Sequence, residues 1–181
     1  MPRRAWNTVT SVMTATALDP TTLPLKTSAP DDLARQFSQS FPTTLVPELL
    51  WAEFTRALLD SKNAVLWSND VSTIRTLQPP PLAVGSVLAV TMLGRGAVVH
   101  YRVKRFEPPH LLEYASLQGH ILAGGATVSV ERSMGGSTLC WQGEYRGTEA
   151  NLGHLDRYLV AFFGQLATRL RKLEAIAPTV S

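Results

Sequence analysis

Six short stretches of alternating apolar and polar residues follow one another from residue 71 to residue 146. Such alternation is typical of strands with one buried face. The links between them contain glycine or proline and are shorter than the crossover of about a dozen residues that parallel neighbours need. The sequence therefore predicts an antiparallel meander, with strands over 71–77, 86–93, 97–106, 111–118, 125–132 and 138–146.

The longest apolar stripe of the chain follows this meander. Large apolar residues recur three or four positions apart over residues 150–176, which predicts an amphipathic helix that stops before Pro178. Burial of each large apolar side chain is worth roughly 1.5–3 kcal/mol, so the stripe needs an apolar surface, and the predicted sheet provides one. Its members are Leu152, Leu155, Leu159, Phe162, Phe163, Leu166, Leu170 and Leu173.

The segment before the meander predicts one more strand and two short helices. Phe37 and Phe41 share one face of a strand over 35–41, Pro47 suits the start of a helix, and residues 61–66 are expected to form the second helix. Residues 1–34 lack periodicity and are interpreted as a mobile tail, with a transit peptide left open. Residues 35–177 then form one domain, and 178–181 a short tail.

Composition limits the classes of function. A chain of 181 residues with 45% hydrophobic content can bury one core. Its net charge of +3 comes with scattered basic residues and no recognition motif, so we expect no nucleic-acid binding. No stretch reaches the roughly 18 apolar residues of a membrane helix, and the single cysteine, Cys140, favours a reducing, cytoplasmic setting without disulfides. The four histidines lack metal-site spacing, so no metal is expected.

The order of these elements resembles the helix-grip fold of the START-like, or SRPBCC, superfamily, which is also described as Bet v 1-like. The resemblance covers about residues 35–177 and is carried by VPELLWAEF, VLWSNDV, Gly85, YRVKRFEPPHLLEYAS and GGSTLCWQGEYRG. These segments look most like the polyketide cyclase or dehydrase branch. The resemblance implies an α+β fold with a curved antiparallel sheet of about seven strands around the C-terminal helix. It also implies an apolar cavity for a hydrophobic small molecule, with no cofactor, and it supplies no catalytic signature.

Strand alternation divides the side chains of the meander between two faces. On one strand, Val99, Tyr101 and Val103 point inward, whereas the intervening His100, Arg102 and Lys104 form a solvated face. The same spacing directs tyrosine and tryptophan side chains of the later strands inward. Such rings combine a large apolar face with one hydrogen-bonding tip, which suits a pocket that orients a mostly apolar ligand.

These patterns define the candidate site. The candidates for catalysis are the inward phenols and one histidine near the predicted cavity mouth: Tyr101, Tyr114, Tyr145 and His120. The candidates for substrate binding are Trp67, Val99, Val103, Leu112, Ser116, Gln118, Val128, Trp141, Leu159, Phe162 and Phe163. For each aromatic ring, the alternative interpretation is that it only fills the core. For His120, the alternative is a histidine on a surface loop.

The residues of this site are compatible with two functions and do not distinguish between them. One is a cofactor-independent cyclase, with or without dehydration, acting on a polyketide-like molecule. The other is a carrier, sensor or sequestering protein for a hydrophobic metabolite. A third interpretation, a partner-binding helper with a vestigial pocket, would be favoured by a cavity filled with Trp141 and its neighbours. A homodimer is left open.

Overall fold

The computed structural model describes residues 18–177, and its elements follow the predicted order except for the second short helix. The stretch for which a transit peptide is left open lies almost entirely outside these residues, as does the predicted C-terminal tail at 178–181. A short 3-10 turn at Pro20–Thr22 precedes the domain. The elements are β1 Leu33–Thr43, α1 Pro47–Leu59, β2 Ser72–Thr76, β3 Val87–Met92, β4 Val98–Glu107, β5 Leu111–Ser116, β6 Ala123–Ser133, β7 Gly136–Gly147 and α2 Glu149–Ile176.

All seven strands form one antiparallel sheet, in the order β1-β7-β6-β5-β4-β3-β2. Strands β2 to β7 make the predicted meander, and β1 returns to pair with β7, so β1 and β2 are the two edges. The sheet curls, and helix α2 packs against β1 and β7. The predicted α+β helix-grip fold is confirmed.

Helix α2 begins at a capped N-terminus and buries most of its predicted stripe. The hydroxyl of Thr148 accepts a hydrogen bond from the backbone N–H of Asn151, at 3.3 Å. The fully buried members of the stripe are Leu152, Phe162, Leu166, Leu170 and Leu173. The remaining members, Leu155, Leu159 and Phe163, are half-buried because they face an opening between α2 and the sheet.

The predicted second helix over 61–66 is wrong, because these residues form turns. The carboxylate of Glu53 in α1 accepts hydrogen bonds from the backbone N–H groups of Val65, at 2.7 Å, and Leu66, at 3.2 Å. The same carboxylate pairs with the guanidinium of Arg56 and is 7% exposed. A helix would need those N–H groups for its own carbonyls, whereas here they satisfy a buried anion.

The sequence analysis interprets residues 1–34 as a mobile tail. In the structure, part of the segment 18–34 contacts the sheet domain. The guanidinium of Arg102 donates to the carbonyls of Thr21 and Leu23, each at 2.9 Å. Leu25 forms a bridge with Leu117, beside the end of β5. Strand β1 begins at Leu33, just before the predicted domain boundary. This part of the segment lies against the outer side of β4 and the turn after β5.

Candidate ligand-binding site

A cavity of about 510 Å³ lies between the sheet and α2. Pockets that hold small molecules generally occupy 300–1,000 Å³. Apolar side chains from β2, β3 and β4 form one wall, including Ile74, Leu88, Val90 and Val99. Helix α2 forms the opposite wall. The space is open despite the presence of Trp141 in its lining, so the condition that would favour a vestigial pocket is not met.

The cavity lining contains ten of the fifteen predicted site residues: Trp67, Val99, Tyr101, Tyr114, His120, Trp141, Tyr145, Leu159, Phe162 and Phe163. Three others, Val103, Leu112 and Val128, point inward as predicted but are at most 1% exposed and belong to the core, away from the cavity wall. Helix α1 packs against β6 and β7 and covers this end of the sheet. Alternation therefore identified the inner face but not which part of it stays open.

The last two predicted residues, Ser116 and Gln118, do not reach the cavity. The hydroxyl of Ser116 is buried and donates to the carbonyl of Leu122, at 2.9 Å. The spacing predicted that Gln118 projects inward. This prediction is wrong, because the side chain of Gln118 is exposed. Strand β5 ends at Ser116, and the chain then turns at Gly119, whose φ is +97°, so alternation no longer applies.

Three tyrosines bring their rings together in the lining of the cavity. The rings of Tyr101 and Tyr114 lie edge to face with centroids 5.2 Å apart. The indole N–H of Trp141 donates to the hydroxyl oxygen of Tyr114, at 3.0 Å. Burial, together with neighbouring phenols, raises the pKa of Tyr101, Tyr114 and Tyr145 above the ordinary value. At neutral pH these groups are therefore neutral hydroxyls that donate hydrogen bonds.

His120 joins this cluster, and the alternative of a surface-loop histidine does not hold. Its side chain is 8% exposed, and its Nε2 lies 2.9 Å from the hydroxyl oxygen of Tyr101. Its ring also stacks near Tyr145, with centroids 6.2 Å apart. Burial lowers the pKa of His120 to about 4, so the imidazole is neutral at pH 7.

The hydrogen-bond partners of His120 favour one tautomer. Nδ1 lies 2.9 Å from both the backbone nitrogen and the carbonyl oxygen of Leu122. The N–H can only donate, whereas the carbonyl already accepts from the hydroxyl of Ser116, so Nδ1 is assigned as the acceptor. Nε2 then carries the proton and donates to the oxygen of Tyr101. The hydroxyl of Ser116 meanwhile satisfies the carbonyl of Leu122. With its oxygen already accepting from His120, the hydroxyl of Tyr101 has its own proton available for a ligand.

The outer end of the cavity has a polar rim that the sequence analysis missed. Arg95 from the β3–β4 hairpin contacts His154 of α2, which also contacts Arg157 of the same helix. Tyr158 lies deeper, where its hydroxyl contacts the hydroxyl of Ser72 at 3.3 Å and burial raises its pKa to about 12. Arg95 and His154 are 59 positions apart, and no local pattern indicates that they meet.

A second concavity lies on the opposite, outer face of the sheet. It is lined in part by the outward residues of β1, β6 and β7, including Gln36, Thr127 and Gln142. These side chains belong to the solvent-facing side of the sheet, whereas most of the predicted aromatic site residues line the cavity beneath α2. The inner cavity is therefore the candidate site.

Within 18–177, no three His, Cys, Asp or Glu side chains gather as a metal-binding group. None of the helices in that range combines the length and the apolar character needed to cross a membrane.

A curled seven-stranded sheet that grips a long C-terminal helix around an apolar cavity defines the SRPBCC, or Bet v 1-like, class of hydrophobic-ligand-binding proteins. Within that class, a family model described as polyketide cyclase / dehydrase and lipid transport matches residues 36–175. The match covers most of the chain, and the protein belongs to this family. Comparison with curated proteins finds no match.

Solved structures of low sequence identity share the fold. Norcoclaurine synthase from Thalictrum flavum, in complex with dopamine and hydroxybenzaldehyde, superposes with a TM-score of 0.61 at 11% identity, covering 82% of this chain and 91% of that one. A protein from Rhodobacter sphaeroides gives 0.55 at 21% identity, with 78% and 93% covered. Protein Ms6760 from Mycobacterium smegmatis gives 0.55 at 12%, with 87% and 99% covered. At these identities the likeness concerns the fold alone.

Proposed function

We propose that this protein is a cofactor-independent cyclase for a hydrophobic, polyketide-like molecule held in the inner cavity. The observation that carries the proposal is the group of three phenols, of which Tyr145 is buried and the other two are partly buried, together with one buried imidazole in an otherwise apolar cavity. A cavity that only dissolved an apolar ligand would have no use for so many hydrogen-bonding groups. Tyr101, Tyr114 and His120 already have hydrogen-bond partners within the protein, and the remaining phenol protons can each bond a ligand oxygen.

The reaction proposed is an intramolecular aldol-type ring closure. The enol carbon of one unit attacks the carbonyl carbon of another, a carbon–carbon bond forms, and the enol proton passes to the new alkoxide oxygen. The product is an isomer, and a subsequent loss of water gives the dehydrated ring. Holding the flexible chain in its reactive fold can supply roughly 7–11 kcal/mol of the barrier.

The phenols supply the electrostatic part of catalysis. Negative charge develops on the attacked carbonyl oxygen, and a hydroxyl donor already in place stabilises it without reorganisation. Tyr101 and Tyr114 each have an oxygen that accepts from a protein donor, which leaves their protons for this oxygen. Tyr145 lies beside them in the lining. His120 acts through Tyr101, as a positioning residue that orients the phenol.

A carrier remains the second candidate, and one observation favours it. The raised pKa of the phenols and the lowered pKa of His120 leave the cluster without a group that titrates near pH 7. Enzymes that abstract protons usually place such a group at the site. In a carrier the same hydroxyls would orient the ligand and change none of its bonds.

The experiment that separates the two candidates follows the fate of the ligand. Purified protein is incubated with metabolite extract from its own host, and bound and released compounds are analysed by mass spectrometry and nuclear magnetic resonance against a protein-free control. The same incubation uses Tyr101→Phe as the test variant and Tyr158→Phe as the matched control. Tyr158 is a phenol of the same cavity that contacts Ser72, outside the cluster.

A released isomer, or a product lighter by one water, supports the cyclase if its formation falls with Tyr101→Phe and persists with Tyr158→Phe. A compound that is retained and released unchanged contradicts the cyclase and supports the carrier. Product formation that both variants affect equally would contradict the role given to the cluster.

A further inference from the structure

Three basic or imidazole side chains meet at the outer rim of the ligand cavity. The guanidinium Nη2 of Arg95 lies 3.2 Å from Nδ1 and 3.4 Å from Nε2 of His154, so it is close to both ring nitrogens. Nη2 of Arg157 contacts the same Nδ1. The two guanidinium groups thus converge on one imidazole ring, whose single acceptor lone pair can serve only one of them.

This arrangement leaves positive charge without compensation. Desolvation and the charges of Arg95 and Arg157 hold the pKa of His154 below its ordinary value, so the ring is neutral and offsets neither charge. Among residues 18–177, neither arginine has a carboxylate within 4.0 Å. The carboxylate in the lining, Asp70, pairs instead with Arg169, at 3.6 Å.

The two arginines belong to the same continuous cavity as the phenol cluster. Arg95 and Arg157 line it together with Leu155 of α2, and Tyr101 and Tyr114 belong to the same lining. Both arginines are exposed, so an anion can reach them from solvent while the body of a ligand occupies the apolar space. Two guanidinium groups directed at one point are well suited to a carboxylate, sulfonate or phosphate, through charge-assisted hydrogen bonds.

We propose that the ligand of this cavity is amphipathic, with an apolar body beside the tyrosines and an anionic group held between Arg95 and Arg157. The inference rests on the proposed use of the cavity for a hydrophobic small molecule, and it adds the chemistry of the ligand's outer end. An anionic end bound at the rim would also fix which end of an extended chain faces the phenols, and hence the order in which its carbonyls meet them.

Two dyes with the same rings test the charge separately from the apolar body. N-phenyl-1-naphthylamine is neutral, and 8-anilinonaphthalene-1-sulfonate is the same ring system with one sulfonate. Dissociation constants are measured by fluorescence, with stoichiometry from calorimetry, for the natural protein and for Arg95→Gln/Arg157→Gln. Arg171→Gln, an exposed arginine of the same helix, is the matched control for loss of charge.

The expected result is a loss of sulfonate affinity of roughly 10-fold or more in the double variant, since charge-assisted hydrogen bonds are lost. The neutral dye should change by less than about 2-fold, and Arg171→Gln should affect neither dye. Added salt should weaken binding of the sulfonate far more than that of the neutral dye.

Two results would overturn the inference and are distinguishable from each other. Binding of the neutral dye at one site, with equal effects of the double variant on both dyes, would remove the anion site and leave the hydrophobic pocket standing. Failure of the natural protein to bind either dye would remove the proposed hydrophobic pocket and the anion site together.

Discussion

The indole N–H of Trp141 on β7 donates a hydrogen bond to the hydroxyl oxygen of Tyr114 on β5, with 3.0 Å between the two atoms. The strands are not neighbours, because β6 lies between them. The bond therefore spans the concave face of the sheet and holds the phenol in one orientation. Since its oxygen accepts from the indole, the phenol presents its own proton to the cavity.

Replacement of Tyr114 by phenylalanine should separate its chemical role from its structural one. If the protein is a cyclase, we expect Tyr114→Phe to lower turnover by roughly 100-fold, the usual effect of removing one donor to a developing oxyanion. The variant should fold but lose about 1–3 kcal/mol of stability, because the N–H of Trp141 loses its acceptor. Circular dichroism checks the fold, and steady-state kinetics the turnover. Unchanged turnover in a folded variant would remove Tyr114 from the mechanism.

Burial of neutral His120 should make the folded state sensitive to acid. The unfolded chain binds a proton near pH 6.5, whereas the folded protein binds it only near pH 4, so stability rises with pH between these values. We expect up to roughly 3 kcal/mol to be lost as the pH falls from 6.5 to 4. Urea unfolding as a function of pH measures this loss. His120→Asn should flatten that part of the profile, whereas His110→Asn, at an exposed turn, should leave it unchanged.

The buried carboxylate of Glu53 should stabilise the segment after α1, because it accepts hydrogen bonds from two backbone N–H groups of that segment. Glu53→Gln keeps the size of the side chain but turns an N–H group toward Arg56 or the backbone donors of Val65 and Leu66. We expect a loss of roughly 2–4 kcal/mol in the free energy of unfolding. Glu48→Gln, an exposed ion-pair residue of the same helix, should change it by less than about 1 kcal/mol. Equal effects of the two would contradict the buried role.

Two glycines should respond to alanine with opposite signs. Gly164 is exposed in α2 with nothing near an added Cβ, so Gly164→Ala should stabilise the protein by about 0.5–1 kcal/mol. At Gly125 a Cβ would meet the carbonyl of Tyr114 and come within 2.8 Å of the Cα of Ala115. Gly125→Ala should therefore cost roughly 1–3 kcal/mol, because strand β5 must move. Thermal unfolding of both variants checks the signs, and stabilisation by Gly125→Ala would show that the strands have room to separate.

Much of the fold and part of the site could be predicted from the sequence because they depend on local periodicity. Alternation of side chains along a strand is set by backbone geometry, so the inward direction of Tyr101, Tyr114, Trp141 and Tyr145 followed from spacing alone. The apolar stripe of α2 followed in the same way from a period of three to four. The pattern became uninformative where a strand ended, as the exposed Gln118 illustrates.

The sequence by itself determined the order of strands and helices, the face that each side chain takes within them, and the apolar character of the inner surface. Only the tertiary structure decided that His120 is buried against Tyr101 and that Arg95 contacts His154. It also decided that the backbone N–H groups after α1 bond the carboxylate of Glu53, so that the segment forms turns where a helix was predicted. These outcomes depend on contacts between residues far apart in the chain. Burial, which sets their charge states, exists only after the sheet has closed around the helix.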